Sequence, residues 1–387
     1  MGKWMALPHA VLRWRTTLGL AVAAPWASAR DADELMDYAR RAKLPPGYPA
    51  EYAGVIRAAE DEGRLVIYGT TDENLVRPLL ADFASIYPRV RVQYEDLTST
   101  ELHHRYVAET QLGSDSADVL WSSAMDLQAQ LVGKGYALVY RSPEASGLPD
   151  WARLDDQAWA TTFEPIAIAC NKRLLAGLPV PRSHADLARL LSGSASERMR
   201  GKVLTYDIER SGLGFLLAAE DEQASPVYWD LLRGLARAGV RFSATTSGMM
   251  QQLASGRCAI AYNVLGAYAA AQARRNPDIE WVLPTDYTLA LSRLQFVSRH
   301  AAHPNAARLW IDYTLSRRGQ SLLAERAGLY AVRDDVPGVM TAAVLKQQLG
   351  SRLRPILASV ELTRRLEMPA YRAFIGRWRA ALGRRPV

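Results

Sequence analysis

The chain has 387 residues, of which 49% are hydrophobic and 22% are charged, so it can bury a large core and is long enough for two domains. This composition, with ten tryptophans, argues against intrinsic disorder. The formal net charge is +7, but three basic residues lie in the first 29 positions and the remainder has no long run of Lys or Arg. A nucleic-acid-binding surface is therefore not expected.

The N-terminal segment has the features of an export signal. Basic residues precede a mostly apolar stretch, residues 16–26, and the small residues 27–29 provide a cleavage pattern. The stretch is too short to span a membrane, which needs roughly 20 apolar residues. We expect residues 1–29 to be a signal peptide cleaved near Ala29; a frayed amphipathic helix is the alternative interpretation.

Residues 64–88 predict a strand, a turn and a helix that open an α/β unit. Residues 65–68 form a continuous apolar run, which is typical of a parallel strand buried on both faces. Thr70 and Thr71 follow at its carboxyl end, where open α/β sheets bind ligands and where the next helix directs its N-terminal N–H groups. Apolar residues then recur at helical spacing: Leu75, Leu79, Leu80, Phe83 and Ile86.

Hydroxyl residues also follow the next two predicted strands, residues 90–97 and 117–121. Helix capping is the simpler interpretation of any one such group. Three groups at the same edge of a sheet instead predict a crevice that offers neutral donors and helix N–H groups to an anion. The residues concerned are Thr70, Thr71, Thr98, Ser99, Thr100, Ser122 and Ser123.

A second α/β region begins with the predicted strand at residues 203–206. The small residues Ser211 and Gly212 then open a helix and allow a ligand close to the backbone, and Arg210 beside them is a candidate anion clamp or a solvated loop residue. Hydroxyl residues 245–247 predict the cap of a further helix. The predicted strand at residues 258–262 ends in Tyr262. Asn263 follows it, Tyr268 lies in the next predicted helix, and all three are candidate ligand-binding residues.

Later segments predict a strand at residues 280–284, a single strand at 289–297, and a helical tail that Pro369 interrupts. Cys170 and Cys258 each lie in an apolar run typical of a buried strand. Both a disulfide and two buried free thiols are consistent with the sequence.

Four segments, in this order, carry a resemblance to a known family: IYGTTDENLVRPLLADFASIYP, ADVLWSS, EPIAIACNKRLL and SGRCAIAYNVLGAYA. Together they resemble the bacterial extracellular solute-binding proteins of ABC importers, and in particular the branch that contains ferric-iron, phosphonate and sugar-phosphate binders. The resemblance covers residues 55–345, most of the chain that would follow a cleaved signal.

The resemblance implies a two-lobed α/β fold, the type II-like periplasmic binding protein fold, in which hinge strands join the lobes and ligand binding closes the cleft. It places the hinge strands at residues 163–170 and 281–285. The implied organisation is a leader at 30–54, lobe one at 55–165 and 285–315, lobe two at 170–280, and C-terminal helices at 316–387 packed across both lobes.

The function implied is that of a monomeric periplasmic receptor, without a cofactor, that captures a small anion and delivers it to an inner-membrane ABC permease. A phosphate ester, a phosphonate or a carboxylate would suit the hydroxyl-rich crevice. Reporting to a sensor kinase is an alternative role. An enzyme on the same fold is disfavoured, because no Ser-His-Asp or metal set accompanies the acids expected near the crevice, Glu164, Asp207 and Glu209.

Ferric iron is the alternative ligand. Iron-binding relatives hold the metal with adjacent tyrosines after the strand that corresponds to residues 259–262, and with a His or Tyr and an acid from the first lobe. Here Tyr262 is followed by Asn263, Tyr268 is separated from it, and Thr70 stands where a His or Tyr is wanted. Tyr262 and Tyr268 would supply the phenolates if the ligand were iron.

Overall fold

The computed structural model describes residues 44–384; the predicted signal peptide and most of the predicted leader lie outside the described residues. Thirteen strands alternate with helices along this part of the chain. The strands are β1 (Arg64–Gly69), β2 (Arg91–Asp96), β3 (Val119–Ser122), β4 (Arg153–Leu154), β5 (Ala158–Ala160), β6 (Glu164–Asn171), β7 (Val203–Tyr206), β8 (Arg241–Ser243), β9 (Ile260–Leu265), β10 (Ile279–Val282), β11 (Thr288–Leu291), β12 (Leu294–Val297) and β13 (Leu353–Pro355).

The α-helices of the described residues connect these strands and cover both faces of each sheet. They are α1 (Tyr52–Glu62), α2 (Glu73–Ile86), α3 (Ser99–Gln111), α4 (Met125–Gly133), α5 (Lys172–Leu175), α6 (His184–Ser192), α7 (Gly212–Ala224), α8 (Val227–Arg237), α9 (Thr246–Ala254), α10 (Gly266–Arg275), α11 (Pro304–Leu315), α12 (Arg317–Leu322), α13 (Ala342–Leu349) and α14 (Met368–Ala381).

The first sheet has six strands in the order β2-β1-β3-β12-β5-β4. Strands β1, β2 and β3 are parallel, and β12 pairs with β3 in the antiparallel direction. Strand β1 is buried after its first residue, as its apolar run predicts. Helix α2 packs on it through Val76, Leu79, Phe83 and Ile86, which lie on one helix face. This sheet and helices α1–α4, α11 and α12 form what we call lobe one.

The second sheet follows the order β13-β11-β6-β9-β7-β8, and β10 also pairs with β6. Strand β7 runs parallel to β8 and β9, whereas β6 runs antiparallel to β9. This sheet and helices α5–α10 form lobe two. Two sheets with helices on their faces confirm the predicted two-lobed α/β fold.

The chain crosses between the sheets at residues 161–163, from β5 to β6, and returns at residues 292–293, from β11 to β12. The two crossings are hydrogen-bonded: the Thr161 N–H donates to the Arg293 carbonyl at 2.9 Å, and the Arg293 N–H donates to Thr162 Oγ1 at 3.0 Å. The prediction of one strand at 289–297 is therefore wrong, because the chain changes sheets within that segment. The predicted hinge at 281–285 is also wrong, since β10 pairs with β6 inside the second sheet. The predicted hinge at 163–170 begins at the crossing, but its residues 164–170 belong to β6 of that sheet.

The C-terminal segment contacts both lobes. The short 3₁₀ helix at residues 360–366 packs on α4 of lobe one, and α14 buries Phe374, Ile375 and Trp378 against lobe two. The helical tail is interrupted beside Pro369, as predicted: a 3₁₀ helix ends at Leu366 and α14 begins at Met368. Pro369 lies in the first turn of α14, where its missing N–H has no intrahelical acceptor to lose.

Asp126, in the first turn of α4, gives the fold a testable pH dependence. It is buried, and burial raises the pKa of its carboxyl to about 7. Between pH 4 and 7 the folded chain therefore holds a proton that the unfolded chain releases, so the free energy of unfolding falls as pH rises. Between pH 5 and 7.5 we expect the free energy of unfolding of Asp126→Asn to fall less than that of the wild type, by on the order of 2 kcal/mol. Urea unfolding measures this difference. Asp115→Asn, at an exposed loop position, is the control; equal slopes for Asp126→Asn and wild type would contradict the assignment.

Cys170 and Cys258 are buried free thiols, which resolves the choice that the sequence leaves open. Burial raises the pKa of each thiol to about 12, so neither is a thiolate near neutral pH. Within residues 44–384, no helix combines the length and the hydropathy needed to span a bilayer.

Candidate ligand-binding cleft

A cavity of about 310 Å³ lies between the two lobes, at the carboxyl ends of β1, β2 and β3 and the start of helices α3, α7 and α9. Its volume suits a small ligand. The cavity is lined by Thr70, Asp72, Asp96, Leu97, Thr98, Ser99, Glu101 and Ser123 of lobe one and by Ser211, Leu213, Ala244, Thr245, Thr246, Ser247, Leu265 and Tyr268 of lobe two.

The lobe-one wall combines hydroxyl groups with carboxylates. Thr70 Oγ1 accepts a hydrogen bond from the Ser123 N–H at 3.1 Å, which ties the end of β1 to the end of β3. Asp72 occupies the N-cap position of α2, and Asp96 Oδ2 accepts from the Glu73 N–H at 3.3 Å in the first turn of that helix. Partial desolvation raises the pKa of Asp96; the hydrogen bond from the Glu73 N–H opposes this effect, and repulsion from Asp72 and Glu73 adds to it.

The lobe-two wall presents helix N-termini without acidic residues. Thr245 caps α9 by accepting a hydrogen bond from the Gly248 N–H at 3.1 Å, and the first turn of α9 contains no acid. Thr246 and Ser247 line the cavity, and their N–H groups belong to the first turn of the helix, where no intrahelical acceptor is available. This end of α9 is therefore suited to an anion.

Two hydrogen bonds join the lobes beside the cavity, and we call this pair the interlobe latch. The Gly212 N–H of α7 donates to Thr100 Oγ1 of α3 at 3.0 Å, and the Leu213 N–H donates to Ser99 Oγ at 3.1 Å. Ser211 Oγ accepts from the Gly214 N–H at 3.1 Å in the same turn. The N–H groups of Gly212 and Leu213 at the start of α7 therefore bind acceptors of lobe one, whereas the first residues of α9 line the cavity.

Tyr268 of α10 makes a second contact across the cleft. Its hydroxyl donates to Asp72 Oδ1 at 2.9 Å and accepts from the Asp72 N–H at 3.2 Å. Burial, opposed in part by Arg293 and reinforced by Asp72, raises the pKa of Tyr268 well above its usual value, so the phenol stays protonated.

Arg293 and Glu164 form a buried ion pair at the crossing between the lobes. Both side chains are 0% exposed, and Arg293 Nε lies 2.7 Å from Glu164 Oε1. Arg293 Nη1 also donates to the carbonyl of Thr70, a cavity-lining residue, at 3.4 Å. Burial alone would lower the pKa of Arg293, but the interactions with Glu164, Tyr268 and Tyr94 together outweigh it and the pKa is raised.

The structure brings six of the residues predicted from the sequence to the cavity and places seven outside its lining. Those at the cavity are Thr70, Thr98, Ser99, Ser123, Ser211 and Tyr268. The others are Thr71 and Ser122, which are buried below it, Thr100 and Gly212, which form the latch, Arg210, which is exposed on the surface, and Tyr262 and Asn263.

Tyr262 and Asn263 turn away from the cavity toward a buried carboxylate. The Tyr262 hydroxyl and the Asn263 amide each donate to Asp221 Oδ2 at 2.6 Å, and the Tyr287 hydroxyl donates to Asp221 Oδ1 at 2.8 Å. A carboxylate that is 0% exposed needs such donors, which accounts for these polar side chains. Burial and the Asp221 charge raise the pKa of Tyr262 well above its usual value.

The sequence interpretation missed the acids of lobe one and used residues 245–247 only as a helix cap. Asp72 stands at the N-cap position of its helix, Glu101 lies in a first helical turn, and Asp96 is the last residue of its strand. Thr245, Thr246 and Ser247 follow β8 as the other hydroxyl groups follow their strands. Counting that fourth group with the other three would have placed α9 at the crevice.

Two features of the described residues bear on metal binding. Among residues 44–384, no group of three or more His, Cys, Asp or Glu side chains is arranged to hold a metal ion. Tyr268 is the only tyrosine in the cavity lining, and Tyr262, which the iron alternative requires, donates its hydroxyl to Asp221 instead.

Comparison with known proteins identifies the family. Residues 114–352 match the model of the bacterial extracellular solute-binding protein family. The chain belongs to this family. The family match confirms the resemblance seen in the sequence. A search among curated proteins found no match.

Solved structures agree with this assignment. The substrate-binding protein of an ABC transporter from Agrobacterium tumefaciens is 35% identical, with a TM-score of 0.79 over 82% of this chain and 94% of that one. AfuA from Actinobacillus pleuropneumoniae, solved with fructose-6-phosphate, is 17% identical, with a TM-score of 0.69 over 83% of this chain and 99% of that one. Iron-bound HitA from Pseudomonas aeruginosa is 15% identical, with a TM-score of 0.62 over 82% and 99%.

The two lower identities show a shared fold only. The family match and the Agrobacterium structure place this chain among the solute-binding proteins of ABC transporters, which are binding proteins and not enzymes.

Proposed function

We propose that this protein is a periplasmic receptor that captures a small organic anion between its lobes and delivers it to an inner-membrane ABC permease. The anionic group, a phosphate, phosphonate or carboxylate, would lie at the N-terminus of α9, against Thr245, Thr246 and Ser247. Lobe closure would then cover the ligand and form the interlobe latch.

The observation that carries this proposal is the difference between the two helices that begin at the lobe-two wall. Neither α7 nor α9 has an acid in its first turn, but the first N–H groups of α7 already donate to Ser99 and Thr100. At α9, by contrast, no side chain of lobe one within the described residues accepts a hydrogen bond from the first turn, and Thr245, Thr246 and Ser247 all line the cavity. An anion there gains hydrogen bonds and a favourable interaction with the helix dipole.

Ferric iron is less well supported as the ligand. Iron prefers phenolate and carboxylate oxygens, and the proposed pair of tyrosines is divided between the cavity and the Asp221 cluster. The hydroxyl-rich lobe-two wall offers neutral groups, which suit an anion better than a hard cation.

A charge placed at the start of α9 tests the anion proposal. We expect Ser247→Glu to weaken binding of the tightest-binding anion by roughly tenfold or more relative to Ser247→Gln, because a carboxylate would repel the ligand at short range. The measurement is isothermal titration calorimetry with inorganic phosphate, methylphosphonate, phosphoethanolamine, glycerol 3-phosphate and acetate, after a thermal-shift screen of the same compounds.

The melting temperature of the unliganded variant separates binding from folding. An acid at a helix N-terminus stabilises the helix, so unliganded Ser247→Glu should melt no lower than Ser247→Gln. Equal anion affinities of the two variants would move the anion away from α9. A lack of binding by every anion, together with iron retained in native mass spectrometry of the periplasmic protein, would overturn the proposed function.

A further inference from the structure

The side chains that line the cavity do not supply a full positive charge. Among the described residues of the lining there is no Lys, Arg or His, whereas Asp72, Asp96 and Glu101 belong to the lobe-one wall. The N-terminus of α9 contributes only a partial positive charge. The attraction of the cavity for an anion therefore depends on any positive charge that lies behind the lining.

Arg293 places such a charge directly behind the cavity wall. Its side chain is 0% exposed, and its Nη1 atom donates to the carbonyl of Thr70, a lining residue, at 3.4 Å. Its Nε and Nη2 atoms face Glu164, at 2.7 Å and 3.3 Å from the two carboxylate oxygens. In a planar guanidinium group, Nη1 points away from the edge formed by Nε and Nη2. Glu164 therefore lies on the side of Arg293 that is turned away from Thr70.

The charge of Arg293 acts on lining residues of both lobes. Burial raises the pKa of Asp96 in lobe one and of Tyr268 in lobe two, and Arg293 opposes burial at both groups. Arg293 and Glu164 are shielded from solvent, so water and salt screen their charges less than those of surface groups. A ligand beside Asp96 and Tyr268 would experience the same charges.

We infer that Arg293 makes this cleft selective for an anion, and that Glu164 sets the strength of that selection by neutralising part of the charge behind the cavity. This inference rests on the proposed function and adds the source of the attraction. Neither side chain is among the residues that line the cavity, so the pair acts on the ligand through space.

Substitution of the two members of the pair should change anion affinity in opposite directions. Arg293→Met leaves a negative charge behind the cavity and should weaken anion binding roughly tenfold. Glu164→Gln nearly preserves shape and leaves the guanidinium unneutralised, so it should tighten binding by roughly threefold or more. Each variant leaves one buried charge without its partner and is expected to be less stable. A general loss of stability, or a disturbed crossing between the lobes, would instead weaken binding in both.

Isothermal titration calorimetry of the full chain at pH 8 measures these changes with inorganic phosphate, glycerol 3-phosphate and acetate. The changes should be larger for the two phosphates, which are mainly dianions at this pH, than for acetate, which is a monoanion. Arg293→Lys keeps the positive charge and should bind each phosphate more tightly than Arg293→Met. Melting temperatures of the unliganded proteins check that each variant is folded at the temperature of the titration.

A second ion pair of lobe one provides the matched control. Arg318 of α12 pairs with Asp82 of α2, their side chains are 13% and 17% exposed, and neither residue lines the cavity. Arg318→Met and Asp82→Asn should therefore both leave anion affinity unchanged.

The outcomes separate this inference from the proposed function. Opposite changes in Arg293→Met and Glu164→Gln, absent from the control pair, would support the inference. An affinity that falls in both variants, or that changes in neither, would overturn it and leave the anion receptor standing. If Arg293→Met does not fold, an affinity of Glu164→Gln equal to or below that of the wild type overturns it alone. A wild type that binds none of the three anions would overturn the proposed function and this inference with it.

Discussion

Replacing Arg293 with methionine is expected to lower the free energy of unfolding by about 3–5 kcal/mol, because it leaves Glu164 charged and unpaired in a site without solvent. Both side chains are 0% exposed, their closest atoms are 2.7 Å apart, and Arg293 Nη2 also donates to Glu164 Oε2 at 3.3 Å. The measurement is equilibrium unfolding in urea. Fluorescence and circular dichroism monitor the same transition, and coincident curves check that it is two-state.

A double variant distinguishes the loss of a partner from the loss of packing. Arg293→Met with Glu164→Gln removes both charges, and we expect it to recover more than half of the stability lost in Arg293→Met alone. Arg200→Met removes a pair with Glu197 on the surface and should leave the unfolding midpoint unchanged. A double variant less stable than Arg293→Met would show that the ionised Glu164 is not the source of the loss.

Removing the interlobe latch is expected to weaken ligand binding by roughly 5-fold to 150-fold, since two hydrogen bonds between the lobes are worth about 1–3 kcal/mol. The variant Ser99→Ala with Thr100→Val deletes the two acceptors of the Gly212 and Leu213 N–H groups and nearly preserves volume. Opening the cleft breaks these bonds, so their loss should penalise the closed state alone. Calorimetric titration with the tightest-binding anion measures the effect.

The same helix provides a matched control for the latch. Thr110→Val removes a hydroxyl of α3 that donates to the Tyr106 carbonyl within lobe one, and it should leave affinity unchanged. Comparable losses of affinity in Thr110→Val and in the latch variant would mean that α3 is perturbed as a whole. Small-angle scattering of the liganded proteins should show a larger radius of gyration for the latch variant only.

A wedge at Gly212 tests closure by steric means. A Cβ at this position would lie 2.5 Å from Leu127 Cδ1 and 3.3 Å from Ser99 Oγ, both on lobe one. Because the flexible end of Leu127 can yield to a methyl group, Gly212→Ala should bind nearly as wild type, whereas Gly212→Trp should hold the lobes apart. Wild-type affinity in Gly212→Trp would show that the cleft binds its ligand without this closure.

The local elements were predictable where the pattern of side chains repeats within one segment. The apolar run of β1 and the spacing of Val76, Leu79, Phe83 and Ile86 on α2 follow from burial of one strand and one helix face. The prediction of a single strand at residues 289–297 failed because an apolar run has the same sequence pattern whether it stays in one sheet or passes between two. The turn at Arg293 depends on Thr161 and Thr162, more than 100 positions away.

The site was predictable to the extent that it is built from helix starts. Thr98 and Ser211 cap α3 and α7, whereas Thr70 and Ser123 lie just before the starts of α2 and α4 without capping them. All four line the cavity. Whether such a hydroxyl faces the ligand or the other lobe is decided by the approach of the lobes, and Ser99 and Thr100 were therefore indistinguishable in sequence.

The sequence by itself determined the α/β class, which depends on apolar periodicity, and its resemblance to known sequences indicated the family. It also predicted hydroxyl groups after several strands, and some of these line the cavity. Tertiary structure alone decided that Tyr262 and Asn263 donate hydrogen bonds to Asp221, that Arg293 pairs with Glu164, and that three acids line the lobe-one wall of the cavity. Each of these contacts or groupings involves side chains that are far apart in the chain. Charge compensation and desolvation act on distances in space, which the order of residues does not contain.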